Sequence, residues 1–230
     1  FDAGNNISYL FSVILLPLFA AVIKKGEDLQ SLVKQSFSLM LTMTCIIAVV
    51  CIFYSQNLME ILYTAHENES IETYSIRLSE SSKILQILMG SFVSISVTYI
   101  FGTLLTANGN LKQLNIVAAI GVVINLTLNI IFIPIFEAKG AAFTSLCVQF
   151  ATCTIQFLIA KRIFNLKFGI SFWISLLSFI LLISISTAFL KSSNMYWIYS
   201  FLISLASGIL IAFITKMLDF NDLKTIITSS

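Results

Sequence analysis

Seven long apolar stretches, at 6–23, 36–54, 84–106, 114–136, 141–160, 171–190 and 196–217, divide the chain, and polar residues collect between them. Each is close to the roughly 20 residues that a helix needs to cross a hydrocarbon core about 30 Å thick. The stretches stay apolar throughout, without the alternation of barrel strands, which are only about ten residues long. The pattern predicts an all-α, polytopic membrane bundle of about seven transmembrane helices.

The connections are short except for 55–83, where Glu60, Glu67, Glu69, Glu72 and Glu80 face Arg77 and Lys83. That segment is predicted as a solvated loop with a short interfacial helix near 59–63. Alternating the spans across the membrane puts Lys24, Lys25, Lys34, Lys112, Lys161, Arg162, Lys167, Lys216 and Lys224 at one side. Arg77, Lys83, Lys139 and Lys191 fall at the other. The richer side is expected in the cytosol, with the C-terminus. Lys24-Lys25 and Lys161-Arg162 read as topology anchors and as contacts to lipid headgroups. Asn68-Glu69-Ser70 fits a glycosylation sequon, read here as chance.

Composition strengthens the membrane reading. The chain has 230 residues, of which 58% are hydrophobic and 10% charged. Its mean hydropathy is +0.96. A soluble domain carries about 25% charged residues, so no solvated surface can be built from this sequence. A net charge of +2, dispersed along the chain, excludes a nucleic-acid footprint. Disorder is excluded by the high hydrophobicity. The chain opens on Phe1, with no basic segment before the first apolar run, and reads as a fragment whose N-terminal part lies upstream.

Candidate chemistry is sparse. Cys45, Cys51, Cys147 and Cys153 lie in apolar runs with no CxxC pair, and His66 stands alone in a polar loop. Neither a metal nor a cofactor is expected, and the cysteines read as small packing residues. Away from their ends the spans hold no Asp, Glu, Lys, Arg or His, which argues against a proton relay built from this chain.

Neutral polar residues instead fall in helical phase. Ser145, Gln149, Thr152 and Gln156 recur at i, i+4, i+7 and i+11, and Ala118, Gly121, Asn125 and Asn129 at i, i+3, i+7 and i+11. Amides exposed to hydrocarbon cost several kcal/mol each, so both stripes must face protein or a water-filled cavity. Close helix packing and cavity lining both satisfy that demand. A hard-cation site would need a carboxylate that these spans lack. The serines at 171, 175 and 178 and at 200, 204 and 207 read as packing residues. Pro17 and Pro134, toward the ends of their spans, read as terminators, and Gly140 as a point of close approach between the fourth and fifth spans.

Several short motifs in order carry a family resemblance. Leu105-Thr106-Ala107-Asn108-Gly109-Asn110 resembles a turn between two helices of polysaccharide flippases, within the multidrug/oligosaccharidyl-lipid/polysaccharide exporter superfamily. Asn125-Leu-Thr-Leu-Asn129, Ile133-Pro134 and Gly140-Ala141-Ala142-Phe143-Thr144 are similar to that family's next signature, and Phe1-Asp2-Ala3 with Leu16-Pro17-Leu18-Phe19 to an earlier one. Glu137 departs from the pattern, standing where the family usually has Gly, and Thr144-Ser145 blurs its final Ala-Thr.

The resemblance implies two helical lobes around a central cavity, with two added C-terminal helices. Residues 1–162 would be most of the second lobe and 163–230 the added pair, with the first lobe and one further helix in the missing N-terminal half. The implied activity is flipping of an undecaprenyl-linked oligosaccharide across the cytoplasmic membrane for surface polysaccharide such as O-antigen, not catalysis. The implied partners are that lipid-linked sugar, membrane lipids and the missing half. On this reading the stripe residues line the cavity, and the substrate's pyrophosphate is met by basic residues outside this chain. A drug/cation antiporter of the same superfamily, a membrane transferase and a purely structural assembly subunit are the rival readings.

Overall fold

In a computed structural model of the chain, the described residues are 2–64 and 70–218, with side chains described from residue 9 onward. Phe1, His66, Glu67, Asn68, Glu69 and Lys224 lie outside them, as do the side chains of Asp2 and Ala3. Among the described residues seven α-helices form and no strand does: α1 (Asp2–Lys25), α2 (Leu29–Phe53), α3 (Ser55–Leu62), α4 (Ile71–Ala107), α5 (Leu111–Ile163), α6 (Ile170–Ser192) and α7 (Trp197–Ile214). Five of these, α2 and α4 to α7, are long and apolar enough to cross a membrane.

The fourth and fifth apolar stretches share one 53-residue helix, α5. Straight, it would extend about 80 Å, far beyond a bilayer core. It does not run straight. Glu137, at φ 51° and ψ −128°, reverses the chain. Phe132 and Phe143 then meet ring to ring at 5.4 Å, and a Cβ on Gly121 would lie 3.0 Å from Thr152 Cγ2. In a straight helix residues 121 and 152 would be about 46 Å apart. Thus α5 is an antiparallel pair of arms, packed along α4.

Pro134 sits inside the first arm, three residues before the reversal, and Pro17 sits inside α1, which continues to Lys25. Neither proline ends its helix where it stands. Gly140 does take the close-approach role, against the Phe132 carbonyl.

The segment 55–83 is mostly helix rather than loop. Its first part is α3, and α4 starts thirteen residues ahead of the apolar stretch that begins at Ile84. Ser70 caps α4 by accepting the Thr73 N–H at 3.1 Å, and Glu72 lies in the first turn, where a negative charge suits the helix dipole.

The Leu105–Asn110 motif is a helix stop. Gly109 has φ +76°, the Asn110 N–H reaches back to the Leu105 carbonyl at 2.9 Å, and the Gly109 N–H to the Thr106 carbonyl at 2.9 Å. These two hydrogen bonds satisfy two of the last carbonyls of α4, and the left-handed residue they need is most cheaply a glycine.

A buried aromatic cluster lies toward the end where α1, α4, the second arm of α5 and α7 finish. Leu15 and Phe19 of α1, Phe37 and Leu41 of α2, and Phe101 and Leu105 of α4 form its buried centre. Phe157 of α5 joins by stacking on Phe37 and meeting Phe101 edge to face, and Phe168 and Phe172 close the cluster from the start of α6. Gln30 clamps the loop before α6, donating to the Lys167 carbonyl at 2.7 Å and accepting the Lys167 N–H at 2.9 Å.

Candidate functional site

The hairpin of α5 brings the two polar stripes side by side. With Gly121 facing Thr152 and Phe132 facing Phe143, Asn125 shares a level with Gln149, and Asn129 with Ser145. These four side chains are half-buried. Asn129 Nδ2 donates to Asn125 Oδ1 at 3.0 Å, one turn away. Asn129 Oδ1 is buried with no hydrogen-bond partner, and so is Thr144 Oγ1. An unpaired amide oxygen in a low-dielectric surrounding is a strong acceptor awaiting a donor.

Thr152 and Gln156 are turned to other uses. Thr152 Oγ1 donates to the Val148 carbonyl at 2.9 Å while its methyl group meets Gly121. Gln156 is buried against α4, where a Cβ on Gly102 would stand 3.2 Å from its Oε1. The fifth-span stripe therefore divides along its length. Its N-terminal part stays partly open, and its C-terminal part seats the second arm on its neighbours. None of the six residues lines the cavities described next.

At the tip of the α5 hairpin Lys139 Nζ donates to Glu80 Oε1 at 2.7 Å, tying the reversal to the polar first turns of α4. This hydrogen bond first, and then the Lys139 charge, holds the exposed Glu80 carboxyl below the usual carboxylate range. An apolar cavity of about 230 Å³ lies between α2, α3 and α4, lined by Cys51, Met59, Leu62 and Met89 among others.

The opposite end holds a polar cavity of about 330 Å³ between the first turns of α2 and α6 and the C-terminal end of α7. Ser31, Lys34, Gln35 and Ser38 enter it from α2, Ser171 and Ser175 from α6, and Lys216 from beyond α7. The sequence signal was present in the i, i+3, i+4, i+7 spacing of the four α2 residues, a polar face on an otherwise apolar helix. Ser171 and Ser175, read as packing residues, in fact border this space. The basic residues also gather as expected: Lys24, Lys25, Lys34, Lys112, Lys161, Arg162, Lys167 and Lys216 all fall at this end of the helices.

Comparison with known proteins follows the same architecture. The family model for the lipid II flippase MurJ matches residues 7–208. Among solved structures the chain is similar to "Lipid II flippase MurJ, inward closed conformation", with a TM-score of 0.72 and 20% sequence identity over 94% of this chain. The chain spans 45% of the length of that structure. No curated protein matches it in sequence.

Proposed function

Because the chain belongs to the lipid II flippase MurJ family, we propose that it forms the second half of a flippase for lipid II, the lipid-linked precursor of peptidoglycan. The sequence reading reached the superfamily and a lipid-linked substrate, but chose surface polysaccharide. The family match supports the cell-wall precursor instead of O-antigen. On this reading the protein works by alternating access, without making or breaking covalent bonds in its cargo.

The observation that carries the role of this half is the polar hairpin of α5. Asn125, Asn129, Ser145 and Gln149 offer neutral donors and acceptors at two adjoining levels, and Asn129 Oδ1 is left without a protein partner. Such groups suit the hydroxyl and amide groups of a glycopeptide head better than a bare charge. Thr152 and Gln156, candidates for the same lining, serve it by holding the arms in place. Residues 1–162 act as the lobe that bears this surface, and 163–230 as an added helical pair. The lysine-rich end and the C-terminus face the cytosol, in line with the excess of basic residues there.

Asn129→Leu and Gln149→Leu, made together in the full-length protein, test this reading in cells depleted of their own flippase. The expected result is loss of growth rescue at normal membrane abundance. Full rescue would remove the hairpin from the substrate path.

A further inference from the structure

The cavity at the lysine-rich end has the chemistry of an anion site. Three elements build it, two bringing a lysine ammonium group and the third a helix N-terminus. Lys34 projects from the second turn of α2. Lys216 follows α7 at the left-handed position of a helix stop, with φ +56° and the Met217 N–H returning to the Ala212 carbonyl at 2.9 Å. Ser38 fixes this arrangement by donating to the Met217 carbonyl, which ties the end of α7 to α2. The start of α6 forms the third wall, with Gly169 at its N-cap and no side chain accepting its first-turn N–H groups.

The charges are unbalanced. Among the described residues neither Lys34 nor Lys216 has a carboxylate within ion-pair distance, while nearby Glu27 pairs with Lys25 at 3.7 Å and Asp28 caps α2. Two ammonium groups, the hydroxyls of Ser31 and Ser171 and the positive end of a helix dipole thus surround a space within the size range of small-ligand sites. The cavity opens at the end of helices long and apolar enough to cross a membrane, the level at which a spanning bundle meets lipid headgroups. It has room for a headgroup, while the acyl chains would lie against the exposed apolar faces of α6 and α7, such as Ile174 and Leu210.

We propose that this cavity binds the phosphate of an anionic phospholipid headgroup and so anchors α6 and α7 to α2. The inference rests on the cavity and on membrane insertion, and does not depend on the cargo of the flippase.

Native mass spectrometry of the full-length protein, released from nanodiscs of equal phosphatidylglycerol and phosphatidylcholine, tests it. The comparison variant is Lys34→Gln with Lys216→Gly. Glycine suits the left-handed backbone at 216, so this change removes the ammonium group without straining the turn. Preferential retention of phosphatidylglycerol is expected in the parent. The ratio should fall about thirtyfold in the variant, the loss expected for two lysines at a charged membrane surface. Circular dichroism checks that the variant keeps its helices; if it does not, Lys34→Gln alone is read in the same way, with a fall of about fivefold. Equal retention in parent and variant would overturn the proposal. Displacement of the bound lipid by millimolar inorganic phosphate would overturn the headgroup assignment in favour of a soluble phosphate.

Discussion

Gly140 lies so close beneath the Phe132 carbonyl that a Cβ on it would stand 2.3 Å from the oxygen. The two arms of α5 therefore meet backbone to side-chain position just after the reversal. Because the obstacle is backbone and not a movable side-chain tip, Gly140→Ala should separate the arms. A loss of at least about 2 kcal/mol is expected, read as a lowered midpoint of thermal unfolding in detergent. An unchanged midpoint would mean that the arms do not pack this closely.

Glu137 is a second pressure point. Its φ of 51° with ψ of −128° lies outside the left-handed helical region that Asn tolerates, in territory that glycine alone enters readily. Glu137→Gly should stabilise the protein by about 1–3 kcal/mol, and Glu137→Asn should not. Equal effects from the two would indicate that the gain came from removing a charge.

Gly208 of α7 faces Ile183 of α6 and Ile46 of α2, whose methyl groups would stand 2.8 and 2.9 Å from a new Cβ. The Ile183 methyl is a side-chain tip that can swing aside, but the Ile46 methyl sits on the Cβ of a buried, β-branched residue that is stiff at χ1. Gly208→Ala should therefore cost about 2 kcal/mol, and Gly208→Leu, which would push α7 away from both neighbours, about 3 kcal/mol or more. Thermal unfolding of the two variants side by side checks the difference.

The Glu80–Lys139 contact gives a pH dependence. A carboxyl whose pKa is depressed on folding contributes fully above the ordinary carboxylate range and loses its contribution as the pH falls through the lowered value. The parent should therefore be slightly more stable than Lys139→Gln at neutral pH, and the difference should close only below the ordinary range. The pair is exposed, so the gap is small. A gap that persists with Glu80 fully protonated would place the effect of Lys139 elsewhere.

The membrane class, the seven apolar segments and the common end of most basic residues were legible because each depends on local composition or helical phase. The start of α4 was not. Ile71–Lys83 is a helix on which polar residues predominate, so it shows no long apolar run, and only Ser70 and Glu72 mark its beginning. The break between the arms of α5 was visible in Pro134 and Gly140, yet the reversal rests on the backbone of Glu137, a residue with no turn preference of its own. The asparagine pair could be read from its spacing. Which stripe residues pack and which stay open could not, because Gly102 and Gly121 make that choice from other segments.

The aromatic cluster around Phe37, Phe101 and Phe157 also sets a mechanical ratio. It secures the second arm of α5 at one end, while at the other the tip of the hairpin reaches Glu80 of α4 through an exposed ion pair. From Phe157 to Lys139 that arm, at 1.5 Å per residue, is about 27 Å long. A tilt of about 5° at the phenylalanines would therefore carry the tip about 2 Å, and the exposed ion pair itself opposes it only weakly. The hairpin is a lever, with its fulcrum among the rings and its long end laid against α4.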